Sequence, residues 1–381
     1  MASALGSRSR HSEDDTPHGT AGEARAVVGG GRPMGGGQMS EPRERSRSSK
    51  WLRLAIVVFT ILPLLLLSAL VAFQVSPWPS VLLIRRAFNE DAQKASQALE
   101  KHIPPTLSAQ LNEHYDPADP DALLDVFYPS AIADKPLPTI VWVHGGGWIS
   151  GSKDDIANYG KVLAGKGYTV VGVDYSLAPG KTFPTPVRQV NAALGYLVKN
   201  AERLRIDPDH IVLAGDSGGA HIAAVTANAI AVPSYAATLG IVPAIERRQL
   251  AALLLYCGPY TVEGVNLDGP FGRFLTTVLW SFSGSKDFKS NPKFAAAWVL
   301  NHVTAEFPPS FISAGNGDPL LPQSIALADT LASRGVRVER LFFPADHRPP
   351  LPHEYQFNLD NEAGRLALER SLAFLARQIR Q

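Results

Sequence analysis

The chain has 381 residues, with 36 Lys and Arg against 35 Asp and Glu and a formal net charge of +1, which gives no reason to invoke nucleic acid as a partner. Its single cysteine, Cys257, excludes an intrachain disulfide, and no Cys and His spacing of a metal site appears. Cys257 stands in an apolar run and is expected to be a buried thiol.

Residues 1–50 are rich in Gly, Ser and Arg, cannot bury a core, and are expected to form a disordered basic tail. A transmembrane helix is expected over 51–75, because Leu54 to Phe73 is apolar, uncharged and long enough to cross about 30 Å of hydrocarbon. Pro63 is tolerable in a lipid-embedded helix. A cleaved signal peptide is the rival reading, but fifty residues precede the run and no clear small-x-small site follows it. Arg43, Arg45, Arg47, Lys50 and Arg53 crowd one flank, against Arg85, Arg86 and Lys94 on the other. Positive-inside bias then puts the N-terminus in the cytoplasm and the rest of the chain outside it.

A linker and N-terminal cap helices are expected over 76–120, and a catalytic domain over 121–381. In that domain short apolar runs alternate with helical patterns. Strands are expected at Thr139–Val143, Gly167–Val173, His210–Ala214, Leu250–Cys257, Pro309–Ser313 and Val336–Phe343. Helices are expected at Val187–Leu204, Gly218–Ala231, Ile325–Ser333 and Glu362–Ile379. Alternation of this kind means an α/β fold, a mostly parallel sheet covered by helices on both faces. The long connection at about 259–308, with Phe271, Phe274, Leu275 and Trp280, reads as a helical lid insertion.

Three stretches carry chemistry. His144-Gly145-Gly146-Gly147-Trp148 follows a buried strand, and its glycines leave bare amides for a developing oxyanion. Gly215-Asp216-Ser217-Gly218-Gly219 places a serine between glycines where a strand gives way to a helix, the pattern of a nucleophile elbow. Trypsin-like proteases share that pentapeptide, but there the histidine precedes the serine; here no upstream histidine has the right context and Ala220 replaces proline. Asp318 follows at a strand end, then His347 and His353, in the order serine, acid, histidine. His353 opens the segment before the final helix and is preferred as base; His347, beside Asp346, is the rival.

These residues resemble the hormone-sensitive-lipase-like branch of the α/β-hydrolase superfamily, a group of carboxylesterases and lipases, from about Leu123 to the C-terminus. Besides the two glycine motifs, Asp174-Tyr175-Ser176-Leu177-Ala178-Pro179, Phe183-Pro184, Asp318-Pro319-Leu320 and His353-Glu354-Tyr355 match in order. The resemblance implies Ser217 as nucleophile, His353 as general base then acid, and Asp318 as its orienting carboxylate. It gives the oxyanion hole to the amides of Gly146, Gly147 and Gly218. It also implies a helix over Ala92–Leu107 lying across the active site. Gly218, Ala220, His221, Ser176 and Gln189 depart from the family's usual residues, which should alter packing without loss of chemistry. Asp216, His144 and His221 are expected to be structural.

The expectation is a membrane-anchored carboxylesterase or lipase working through an acyl-enzyme, on a small-molecule or lipid ester, without cofactor or metal. Residues 54–73 would hold it to the membrane. An acyltransferase or deacetylase on a lipid or glycan, and a non-catalytic ligand-binding protein, are the alternatives. The sequence leaves acyl length and oligomeric state open.

Overall fold

A computed structural model describes residues 45–132, 135–263, 265 and 267–379. The expected tail over 1–50 therefore lies almost wholly outside the described residues. The chain divides into two units, Met1–Pro63 and Leu64–Gln381. The first contributes helix α1 (Arg45–Ile56) and a π-helical stretch at Val57–Ile61. The second begins within α2 (Leu62–Val75). Ser49–Val75 is long and apolar enough to cross a membrane, and none of that stretch is buried.

The larger unit is built on one eight-stranded sheet. Its strands are β1 (Leu107–His114), β2 (Leu123–Pro129), β3 (Leu137–Val143), β4 (Thr169–Val173), β5 (Ile206–Asp216), β6 (Leu250–Tyr256), β7 (Ser310–Ala314) and β8 (Val338–Phe342), in the order β1-β2-β4-β3-β5-β6-β7-β8. Every pair from β4 to β8 is parallel; β1 and β2 are antiparallel additions at one edge. The helices are α3 (Trp78–Ala98), α4 (Lys153–Ala164), α5 (Thr185–Lys199), α6 (Ala201–Leu204), α7 (Ser217–Ala231), α8 (Pro233–Leu239), α9 (Gly269–Ser283), α10 (Leu321–Ser333) and α11 (Glu362–Ile379).

The sheet divides the core in two because strand side chains alternate. Val141, Val143, Leu213 and Leu255 point into one apolar cluster, whereas Ile140, Trp142, Val212 and Leu254 point into the other. All are fully buried or nearly so, and each such aliphatic side chain contributes about 1.5–3 kcal/mol by leaving water. Helix α7 is buried from Ser217 to Ile230, so its pattern is apolar all round. Small residues let it sit tight on the sheet. A Cβ on Gly219 would come within 2.0 Å of the Val143 carbonyl oxygen.

Besides leaving α4 and α8 unread, the sequence reading differs from the structure in three places. The helix expected at Ala92–Leu107 is α3, which starts at Trp78 and ends at Ala98; Pro104 and Pro105 stop any continuation and Leu107 already opens β1. The helix expected at Val187–Leu204 breaks at Asn200 into α5 and α6. Strands β1 and β2 went unread because β1, at the edge, is largely exposed and has no clean alternation, and β2 is nearly continuous in burial.

Candidate active site

The chemistry-bearing residues meet at the carboxyl ends of the parallel strands, where open α/β sheets bind ligands. β3 ends at Val143 and runs into the glycine loop; β5, paired beside it with Gly215 opposite Val143, ends at Asp216 and turns into α7 at Ser217. Ser217 has φ +49°, a left-handed conformation that a serine adopts only under constraint. Gly215 is required by that turn, since a Cβ there would meet Gly219 backbone atoms at 2.6–2.7 Å.

Ser217 Oγ lies 3.0 Å from His353 Nε2. His353 Nδ1 lies 2.9 Å from Asp318 Oδ2, and the other Asp318 oxygen accepts the Leu320 amide N–H at 2.7 Å. Asp318 comes from the loop after β7, His353 from the loop between β8 and α11. His347 is elsewhere: its ring packs on Phe343 at 4.8 Å between centroids, and it does not line the cavity over Ser217. The carboxyl and serine groups therefore bracket His353 alone.

Gly146 and Gly147 adopt φ +95° and +59° and line the same cavity as Gly218 and Ser217. Gly218 is in the first turn of α7, so its amide has no intrahelical acceptor and remains available. Trp148 braces the loop: its indole N–H donates to the Gly218 carbonyl at 3.0 Å, and its ring stacks on Phe282 at 4.5 Å. His144 is wholly buried, bonds the Gly145 carbonyl at 2.9 Å and stacks on Tyr175 at 4.3 Å. Burial lowers its imidazole to about 4, so it is neutral at pH 7. His221, also lowered to about 4 by burial, sits against the Ala297 carbonyl at 2.7 Å as a core histidine. Ser176 and Gln189, two of the departures, bond each other: the Ser176 amide donates to Gln189 Oε1 at 2.8 Å, and Gln189 Nε2 donates to Ser176 Oγ at 2.8 Å.

Electrostatics at His353 are set by its neighbours. Burial works against a charged ring, but the Asp318 carboxylate hydrogen-bonded to Nδ1 favours it, and protonation is raised above the ordinary histidine range. Burial pushes the Cys257 thiol up to about 11, so it is neutral in water near pH 7. Cys257, Asp318 and His353 bring ligand-type atoms within 4.8 Å of one another. An ion there would compete for the same histidine nitrogens that contact Ser217 and Asp318.

The cavity above Ser217 measures about 740 Å³. α3 and α9 cover it, with Phe88 and Phe274 in contact at 5.5 Å between ring centroids. α3 is pinned to the glycine loop by Arg85, whose Nε donates to the Ile149 carbonyl at 2.5 Å, and by Asn89, whose Oδ1 accepts from Ser150 Oγ at 2.9 Å. Two lining residues went unread as site components, Asp216 and Glu354. The signal available was position alone: each is adjacent in sequence to a residue assigned a catalytic role.

Comparisons with known proteins agree with this architecture. The BD-FAE family matches residues 124–331. An esterase of Gibberella moniliformis is 32% identical over 55% of this chain and 66% of its own length. Carboxylesterase NlhH of Mycobacterium tuberculosis is 30% identical over 72% of this chain and 86% of its own. Among solved structures, esterase B of Lactobacillus rhamnosis superposes with a TM-score of 0.67 over 79% of this chain and 96% of that one, at 24% identity, a likeness of fold. The chain belongs to the BD-FAE family, among the hormone-sensitive-lipase-like carboxylic ester hydrolases of the α/β-hydrolase superfamily.

Proposed function

We propose that the chain is a serine esterase held to a membrane by Ser49–Val75, with Ser217 as nucleophile and an acyl-enzyme as intermediate. The observation that carries this reading is the relay of 3.0 Å from Ser217 Oγ to His353 Nε2 and 2.9 Å from His353 Nδ1 to Asp318. His353 takes the hydroxyl proton as Ser217 Oγ attacks the ester carbonyl, and the amides of Gly146, Gly147 and Gly218 receive the oxyanion. Collapse breaks the bond to the alcohol oxygen, which leaves with the proton from Nε2. Water then attacks the acyl-serine, gives its proton to His353, and the acid departs as Ser217 is reprotonated.

The cavity supports a lipophilic acyl group, because the walls from α3 and α9 are apolar at Phe88, Ala92, Phe274 and Val278. The helix Ser49–Val75, apolar and without charge from Leu54 onward, supports membrane attachment.

The test is hydrolysis of p-nitrophenyl esters from acetyl to palmitoyl by the full-length chain in detergent. Ser217→Ala and His353→Ala are expected to lower kcat by about 10⁴-fold or more. His347→Ala is expected to retain turnover. Full activity in His353→Ala would move the base to His347, and serine-independent turnover would end the acyl-enzyme reading.

A further inference from the structure

A second cavity, of about 420 Å³, lies between α4 and α11 and is not lined by Ser217 or His353. Its apolar floor is Pro104, Val162, Leu359, Leu368 and Leu372; Val162 and Leu359 are buried, and the two leucines of α11 are half-buried against the core. Gly165, which caps α4, packs so closely on Pro104 that a Cβ there would meet Pro104 Cγ at 2.3 Å. Lys166, Arg365 and His102 also line the cavity, against one acid, Glu369, among the described residues. Lys166 and Arg365 are exposed, so their charged heads stand at the mouth while the floor is dry.

One wall separates this cavity from the one over Ser217. Leu359 lines both. Asp360, next to it, lines the catalytic cavity and is held by Lys101 at 2.7 Å and by His102 at 3.0 Å, and Arg365 Nη1 donates to the carbonyls of Leu359 and Asp360 at 3.2 and 3.0 Å. The two sides of that wall differ in charge. Acids such as Asp91, Asp155 and Asp360 line the catalytic cavity, with no lysine or arginine among the described residues, whereas cations predominate in its neighbour. Hydrolysis of an ester makes a carboxylic acid that is ionised at neutral pH. Over Ser217 that anion has acids around it; across Leu359 it would find a lysine and an arginine beside a surface that takes an alkyl chain. An alkyl ammonium would meet those two side chains as like charges.

We infer that the cavity between α4 and α11 is a second binding site, for the aliphatic carboxylate that ester hydrolysis releases, with its head group on Lys166 and Arg365 and its chain on Val162, Leu368 and Leu372. That the acid is the chain's own product rests on the serine-esterase reading above. Octanoate is titrated into the full-length Ser217→Ala chain in an uncharged detergent and followed by calorimetry, so that binding is read without turnover. It is expected to bind, and octanol to bind at least about tenfold more weakly, the scale of a hydrogen bond between charged groups. Lys166→Glu should weaken octanoate by about tenfold or more, Lys166→Arg should retain it, and Leu368→Trp, which fills the floor from α11, should weaken octanoate and octanol alike. Equal octanoate affinity in all these chains would seat the acid over Ser217 and overturn the inference, as would octanol matching octanoate. Octyl sulfate carries the same chain on a tetrahedral monoanion; if it binds about tenfold tighter than octanoate, the site belongs to lipid head groups and the assignment to product falls. The wild type is assayed in parallel on p-nitrophenyl octanoate. Turnover without octanoate binding would remove the second site alone, whereas binding that depends on Lys166 in a chain without turnover would remove the esterase reading and, with it, the origin of the acid.

Discussion

Ser217, Cys257 and Glu354 each hold a left-handed backbone, with φ +49°, +44° and +58°, and each lies beside His353. Conformations of this kind cost about 1–3 kcal/mol apiece, so the surrounding packing must fix them. Cys257 is held by its amide, which donates to the Ser313 carbonyl at 2.8 Å. Because only neutral His353 can take the serine proton, an imidazole raised by Asp318 places the acid limb of kcat/KM above the ordinary histidine value of about 6.5. Asp318→Asn removes one cause of that raising. Its residual activity, lower by about 10⁴-fold, should show an acid limb moved to lower pH; an unmoved limb in a pH–rate series would detach His353 from the profile. The residues of this relay were legible because their chemistry is written in local motifs, Gly215 to Gly219 and His144 to Trp148. That Asp216 and Glu354 line one cavity was not, since positions 216 and 354 meet there only through folding.

At the scale of elements, the parallel strands were readable from their unbroken apolar runs, and α5, α7, α10 and α11 from their spacing, whereas α4, between β3 and β4, was not read. The cap was harder. α3 draws its placement from contacts made far away in sequence, by Arg85 to the Ile149 carbonyl and Asn158 to the Ser96 carbonyl at 2.9 Å, and no periodicity announces those. Its grip on α9 rests in part on the rings of Phe88 and Phe274. A double-mutant cycle with Phe88→Ala and Phe274→Ala should yield a coupling of about 0.5–1.5 kcal/mol in urea unfolding. The same variants should lose more rate on long acyl esters than on acetyl ones. Strict additivity would show that the two helices cover the cavity without supporting each other.

For the whole molecule, the proposed membrane orientation rests on the charge count across the apolar helix. Arg85 is spent on the Ile149 and Ala178 carbonyls, leaving Arg86 and Lys94 as the exposed basic residues on the C-terminal flank, each beside an acid. On the membrane reading proposed above, positive-inside bias would favour a cytoplasmic N-terminus. A C-terminal reporter that works only outside the cytoplasm should therefore be active, and silence from it in fractionated cells would invert the arrangement. Only Ser76 and Pro77 separate α2 from α3, and α3 runs about 32 Å and lines the cavity with its second half. If the span lies in a bilayer as proposed, so short a connection keeps the serine close to the lipid surface. Encounter with a lipophilic ester then becomes a two-dimensional search, and its rate should follow the mole fraction of ester in the surface, falling on dilution with inert detergent at constant bulk concentration.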